Sequence, residues 1–278
     1  MSEWGDWQPV EGFDLEHVLY EKRHRERGGG VARIRFNRPE RMNALNGAMF
    51  QAIVDALRDA NRDSSVGVIV ISHTGSHFGV GGDLRGGLES GDLGGAMTQV
   101  DPSIKQSLKP VIAAVRGYVI GAHNHMAYTC DFTIAGESAV FGQNGPRVGS
   151  PASGYMVASS AHVVGMKRAR ELWLRLRHLT AQEALEAGLC NVVVQDRLVD
   201  AEVEQWCGEI LDLVPPCLAA VKQSFEAVDA PLQYSGNFLN MIEPGFFGTP
   251  ELREAMQAFL ERRKPNYWSE EMVARRKY

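Results

Sequence analysis

The chain has 278 residues, with 29 Lys and Arg against 34 Asp and Glu for a formal charge of −5; 44% of residues are hydrophobic and 23% charged. That length supports a real core, in one large domain or one domain with a helical appendage, and the composition excludes a disordered or collagen-like chain. The acidic balance argues against a general nucleic-acid binder.

In chain order, residues 1–14 are rich in Trp, Gly, Asp and Pro and read as an arm without periodicity. The start, Met1-Ser-Glu-Trp-Gly-Asp-Trp7, has neither the basic flank nor the apolar stretch of a signal peptide, so a cytoplasmic protein is expected. Leu15 to Arg27 is a charged stretch closed by the turn Gly28–Gly30, and Val31–Phe36 then alternates apolar and basic residues as a half-buried strand does. Asn37-Arg-Pro39 breaks that strand. Met49, Ile53, Val54 and Leu57 share one helical face, which predicts a helix over about 46–63.

Val66–Ile71 and Pro110–Val115 are short apolar runs typical of strands covered on both faces. Neither approaches the roughly 20 apolar residues that span a bilayer. Between them, His73 to Gly95 is a glycine-rich loop. Gly117 to Gly121 forms a turn opening into a helix over 122–128, and strands follow at Asp131–Ala135 and Ala139–Phe141. From there the pattern is helical: 155–164, 167–176, 181–187, 198–213, 216–227 and 250–263. Strands alternating with helices first and helices afterwards predict an α/β core over 15–200 and a helical section over 201–278. Cys130, Cys190, Cys207 and Cys217 are widely spaced, without CxxC or a nearby His pair, so reduced thiols and no metal site are expected.

Two turns carry the most chemical information, Phe78-Gly-Val-Gly-Gly-Asp83 and Gly117-Tyr-Val-Ile-Gly-Ala-His-Asn124. Each follows a buried strand and places small residues where the chain bends, which permits positive φ and close approach of a ligand to the backbone. Free N–H groups at a helix start favour negative charge, and two aimed at one point would hold an enolate or tetrahedral oxyanion. Neither GxxxxGK[ST] nor GxGxxG occurs, so nucleotide-binding readings are weak.

Asn37-Arg-Pro-Glu-Arg-Met-Asn-Ala-Leu45, Phe78–Asp83, Lys109–Gly121, Cys130-Asp131 and Phe259–Pro265 together resemble the crotonase (enoyl-CoA hydratase/isomerase) superfamily over about residues 15–267. The resemblance implies a ββα spiral followed by a helical trimerisation section. It also implies a homotrimer or dimer of trimers, and an acyl-CoA thioester as substrate. It places the two oxyanion-hole N–H groups at Gly82 and Ala122, and CoA contacts at Arg38, Arg41, Val80 and Lys264, with no further cofactor.

The family's hydratases carry two glutamates where this sequence has His125 and Gly145. Without that pair, syn addition of water by one base and one acid is not expected. Phe141–Ser150, Gly154-Tyr155 and Val163–Trp173 are similar instead to a subgroup that makes or breaks C–C bonds, the 2-ketocyclohexanecarboxyl-CoA hydrolases and, more distantly, the dihydroxynaphthoyl-CoA synthases. The match includes Ser150 and Tyr155 and fails at Ala152, usually Asp, and Phe247, usually Tyr.

His125, near neutral pKa and one turn inside the helix that starts at the hole, is the candidate base, with Glu243 or Asp83 to orient it. Ser150 and Tyr155 are candidates for holding a ketone or water. His123 is expected to point elsewhere than His125, and His73, His77 and His162 to be structural. The reading is an acyl-CoA enzyme that cleaves a C–C bond in an alicyclic β-oxoacyl-CoA by hydrolysis. The alternatives are a hydratase or isomerase with non-standard catalytic residues, and a non-catalytic acyl-CoA binder.

Overall fold

The computed structural model describes residues 4–13, 17–84, 97–150, 152, 154–232, 241–242, 245 and 248–275. The chain divides into two compact units, Met1–Gly142 with His178–Val228, and Gln143–Arg177 with Asp229–Tyr278.

The first unit is built on a seven-stranded sheet in the order β1-β2-β3-β4-β5-β7-β10 and a three-stranded sheet β6-β8-β9. The larger sheet comprises β1 (Gln8–Pro9), β2 (Val18–His24), β3 (Gly30–Phe36), β4 (Val66–His73), β5 (Val111–Val115), β7 (Phe132–Gly136) and β10 (Val192–Val194). From β3 onward its neighbours are parallel. The Val- and Ile-rich runs of β4 and β5 are buried on both faces, as parallel strands must be. The smaller sheet holds β6 (Tyr118–Ile120), β8 (Val140–Gly142) and β9 (Leu179–Thr180). Strand pairs β5–β6 and β7–β8 each give one member to either sheet, the recurring unit of the expected spiral.

Helix α1 (Gly47–Arg62) starts where the Asn46 side chain accepts the Met49 N–H at 2.9 Å, and buries Met49, Ile53, Leu57 and Ala60. Helix α2 (Met97–Lys105) packs on α1 and on α3 (Ala122–Thr129). On the other side, α7 (Val199–Leu211) lays Val199, Val203, Cys207 and Ile210 against Val31, Val68, Val70, Ile112, Ala114 and Ile134. The division expected near residue 200 therefore falls inside this unit, because α7 completes the core over the sheet. The unit also holds α6 (Ala181–Ala187), opened by a capping box between Thr180 and Glu183, and most of α8 (Pro215–Asp229).

Three elements depart from the sequence reading. The charged stretch after residue 15 forms β2, antiparallel to β3 with Val18 and Tyr20 buried. Its cations are matched rather than solvated: Lys22 pairs with Asp59 at 2.7 Å and Asp63 at 2.8 Å, and Arg23 with Glu204 at 2.9 Å. The arm supplies β1 on the outer edge of β2. Part of the turn 117–121 is the strand β6.

The second unit contains a 3-10 turn at Gly145–Val148 and the helices α4 (Gly154–Val164), α5 (Met166–Leu174), α9 (Pro250–Leu260) and α10 (Glu270–Arg275). Helix α4 packs on α5, where Trp173 Nε1 donates to Ser160 Oγ at 2.9 Å. The four cysteines are unbridged thiols, buried at Cys130, Cys190 and Cys207 and exposed at Cys217. Among the described residues no helix is long and apolar enough to cross a membrane.

Candidate active site

The first turn leaves β4 and returns as Phe78–Asp83 beside β6. Gly79 donates to the Tyr118 carbonyl at 2.8 Å, and Ile120 donates back to the Gly79 carbonyl at 2.9 Å. On the opposite edge Leu45 donates to Gly81 O at 2.9 Å and accepts from Asp83 N at 2.7 Å. This parallel bridge straddles Gly82, so the Gly82 N–H points away from Leu45. Among the described residues that N–H has no acceptor, and Gly82 is exposed. The neighbouring Gly81 N–H is spent on His123 Nδ1 at 3.0 Å.

The second turn runs from β6 through Gly121 into α3. Gly121 has φ of +63°, and its N–H donates to Gly142 O at 3.1 Å. The first bond of α3 is His125 N to Gly121 O at 3.0 Å. Ala122 is the first helical residue, so its N–H has no partner within the helix, and the helix dipole adds partial positive charge there. Positive φ is confined to Gly121, which leaves alanine unstrained at position 122. The turns touch: a Cβ on Gly81, at φ +93°, would lie 3.6 Å from Ala122 N, and one on Gly121 would lie 3.5 Å from Gly81 Cα. Two donors without acceptors among the described residues thus belong to adjoining backbone turns.

All eight residues of α3 are buried. His125 lies one turn past Gly121, its ring 5.9 Å from that of Tyr128. His123 turns back beneath the first turn and packs edge-on against Phe36 at 5.0 Å and Phe78 at 5.6 Å. Burial pushes its pKa down to about 3, so the ring is neutral and its Nδ1 a free acceptor for Gly81. His73 is likewise buried, with a pKa lowered to about 4 by desolvation, and His77 stacks on Tyr118 at 4.7 Å.

Two residues weighed from sequence are used differently. Arg38 donates to Asp83 Oδ2 at 2.7 Å and to Ala44 O at 3.0 Å. Its charge is paired with Asp83, the residue after Gly82, and so braces the first turn. Asp83, weighed as an orienter of His125, is the carboxylate of that pair. Asn43 was missed. It is fully buried at φ +57°, accepts from Arg38 N at 2.8 Å, and donates to Thr74 O at 3.0 Å and His77 O at 2.7 Å. It therefore ties the loop after β3 to the loop after β4. The only signal in the sequence was an asparagine among turn residues, a residue type that tolerates left-handed backbone. Arg41 is exposed at the end of the 3-10 turn Pro39–Arg41, and Val80 is half-buried within the first turn.

The remaining candidates lie in the second unit. Ser150 donates its N–H to Gly145 O at 2.8 Å, closing the 3-10 turn. A Cβ on Gly145 would run into the Ser150 carbonyl, so this loop is shut against a side chain where the hydratases carry a glutamate. The Tyr155 hydroxyl donates to Asp229 Oδ2 at 3.3 Å, an oxygen shared with Ser159 Oγ, also at 3.3 Å. Lys264 is exposed beyond α9. Glu243 and Phe247 fall outside the described residues. Among the described residues no three His, Cys, Asp or Glu side chains gather to hold a metal.

A separate cleft of about 670 Å³ lies between the sheet and α7, lined by Trp4, Trp7, Arg23, Arg33 and Glu204. Its cations are matched: Arg23 pairs with Glu204, and Arg33 with Glu21 at 2.7 Å. Arg23 is also stacked on Trp4 and Trp7 at 4.5 and 4.4 Å. This cluster reads as the packing that fixes the N-terminal arm.

A family model described as enoyl-CoA hydratase/isomerase matches residues 26–270. Solved structures share the architecture. An enoyl-CoA hydratase/isomerase from Pseudoalteromonas atlantica T6c has a TM-score of 0.79 at 28% identity, over 85% of this chain and 95% of its own. A methylmalonyl-CoA decarboxylase in complex with 2-nitronate-propionyl-CoA gives 0.78 at 25% identity, over 91% and 98%. A monofunctional enoyl CoA isomerase from M. smegmatis gives 0.66 at 27% identity, over 77% and 94%.

Proposed function

The chain belongs to the enoyl-CoA hydratase/isomerase family and is an acyl-CoA enzyme of that superfamily, and from this premise we propose that the Gly82 and Ala122 N–H groups stabilise a thioester enolate. The observation that carries the reading is the pair of backbone donors without acceptors among the described residues, where the two turns touch at Gly81 and Gly121. Removing one donor from such a hole costs about 2.7–4 kcal/mol of transition-state stabilisation, so a pair supplies a substantial part of a catalytic barrier.

For the reaction we propose hydrolytic C–C cleavage of an alicyclic β-oxoacyl-CoA. Water adds to the β-ketone as His125 takes its proton. The tetrahedral alkoxide collapses, the Cα–Cβ bond breaks, and its electron pair becomes the enolate held by the hole. Protonation at the α-carbon then leaves a carboxylate on the opened ring and an intact thioester. Water supplies both the oxygen and the protons, and CoA arrives as part of the substrate, so the scheme uses no cofactor. Gly145, shut by the Ser150 carbonyl, supports a reaction that does without the second glutamate. Arg41, Val80 and Lys264 are proposed to contact CoA, and Ser150 and Tyr155 to hold the ketone or water. A cytoplasmic homotrimer or dimer of trimers completes the proposal; the exposed apolar Val221, Phe225 and Val228 of α8 support the assembly.

A second reading, enoyl-CoA hydration or isomerisation with His125 and Ser150 or Tyr155 in place of the glutamates, is favoured by the descriptions of the family model and of the Pseudoalteromonas and M. smegmatis proteins. The experiment incubates the protein separately with 2-ketocyclohexanecarboxyl-CoA and crotonyl-CoA in ¹⁸O-labelled water and follows products by mass spectrometry. A labelled ring-opened dicarboxylic mono-CoA ester is expected. Labelled 3-hydroxybutyryl-CoA with an untouched ring substrate would overturn hydrolysis in favour of hydration. Tight thioester binding with no turnover of any thioester would favour a binder.

A further inference from the structure

We propose that His123 is a positioning residue for the oxyanion hole: its ring, rooted on α3, holds the first turn so that the Gly82 N–H stays aligned with the Ala122 N–H. The inference rests on the enolate reading and deepens it. Ala122 and His123 are consecutive on α3, so the helix that carries one donor also carries the side chain that grips the other turn. The grip is the bond from Gly81 N–H to His123 Nδ1 at 3.0 Å, at the peptide immediately before the donor. The fit is close, because a Cβ on Gly79 would run into the His123 ring. Phe36 and Phe78 wall the ring in, and His123 has no exposed surface.

Gly81 adopts φ of +93°, so the direction of the following Gly82 N–H depends on a glycine hinge with little stiffness of its own. Leu45 constrains the turn from one edge and His123 from the other. His123 touches no part of a bound thioester in this account; it acts on the geometry of the donor. The Nε2 of the ring has no hydrogen-bond partner among the described residues. That isolation leaves the Nδ1 contact as the polar function of a fully buried imidazole.

The test reads donor alignment directly. A dimethylaminocinnamoyl-CoA thioester absorbs further to the red as its carbonyl oxygen accepts stronger hydrogen bonds, so its shift on binding reports the hole without turnover. His123→Asn keeps an acceptor near the Nδ1 position, whereas His123→Leu fills much of the volume with none. Wild type and His123→Asn are expected to shift the chromophore. His123→Leu should bind it with most of the shift lost, and its kcat should fall on the order of 10–100-fold with little change in KM, somewhat less than deletion of a donor.

A folded His123→Leu that binds the probe with the full shift overturns the proposal. Should the Leu variant not fold, Gly79→Ala, whose methyl displaces the ring, takes its place: a diminished shift supports the proposal and a full one overturns it. A wild-type protein that binds the probe with no shift refutes the hole itself and with it this role for His123.

Discussion

Replacing Ala122 with proline removes one proposed donor without breaking a hydrogen bond of the helix. Ala122 is the first residue of α3, and the earliest helical bond, His125 N to Gly121 O at 3.0 Å, does not involve its N–H. Proline is well suited to this position because its missing N–H is unpaired in the helix anyway and its φ matches the helical value. The change in folding free energy is expected to be small, since the restricted unfolded chain returns about 0.4–1 kcal/mol against any crowding by the ring. That crowding falls on the space the oxyanion would use, since the ring Cδ replaces the amide hydrogen. Catalysis should therefore lose at least the value of one donor, about 10²–10³-fold in kcat or 2.7–4 kcal/mol. The assay pairs a thermal melt with steady-state turnover on the thioester that proves to be the substrate. A folded Ala122→Pro protein with undiminished kcat would refute the assignment of that N–H.

Three further outcomes are expected. Lys222, buried, donates to Asp131 Oδ2 at 2.7 Å and to the carbonyls of Ile104 and Lys109, both at 3.1 Å. Lys222→Met strands that carboxylate and should cost about 3–5 kcal/mol; at about 2.1 cal/mol/K per residue of unfolding entropy, the melt falls by roughly 5–9 °C, and an unchanged Tm would contradict it. Asp101 is buried beside Thr129, and desolvation raises its pKa from 3.8 to about 7 against the opposing pull of Lys105. The folded state therefore binds the extra proton between about pH 4 and 7, so this group's stability contribution is present below its unfolded pKa and lost as pH rises through 7. Asp101→Asn should raise Tm at pH 8 and leave it nearly unchanged at pH 4; equal effects at both pH values would contradict the buried-acid assignment. Finally, Arg38→Ala should lower kcat by loosening the Gly82 strand, whereas Arg41→Ala should raise KM for the thioester several-fold; a KM effect at Arg38 alone would return it to CoA.

Strands β4 and β5 were legible because Val66–Ile71 and Val111–Val115 are apolar runs, and α1 because its apolar residues recur at helical spacing. β2 was not, since its cations look solvated until Asp59, Asp63 and Glu204 are brought to them from distant parts of the chain. β6 has three residues, too few for a period. The two turns stood out because glycine marks where the backbone takes positive φ, and Gly81 and Gly121 do so. What the sequence concealed is the polar wiring between them. The Arg38–Asp83 pair spans 45 residues and the Gly81–His123 bond 42, and no local pattern encodes either. A histidine two positions before the candidate base draws attention as chemistry, whereas its burial and its bond from the Gly81 N–H show that it serves as an acceptor.

Stabilisation of a thioester enolate has its own signature, hydrogen exchange at the α-carbon. A saturated acyl-CoA incubated with the protein in D₂O, followed by mass spectrometry, reports enolate formation whatever reaction follows, because the group that protonates the enolate also removes that proton in reverse. Deuterium is expected to enter the α-position with wild type, with a large loss of exchange in Ala122→Pro. A protein that binds the thioester yet leaves its α-protons in place would contradict enolate stabilisation.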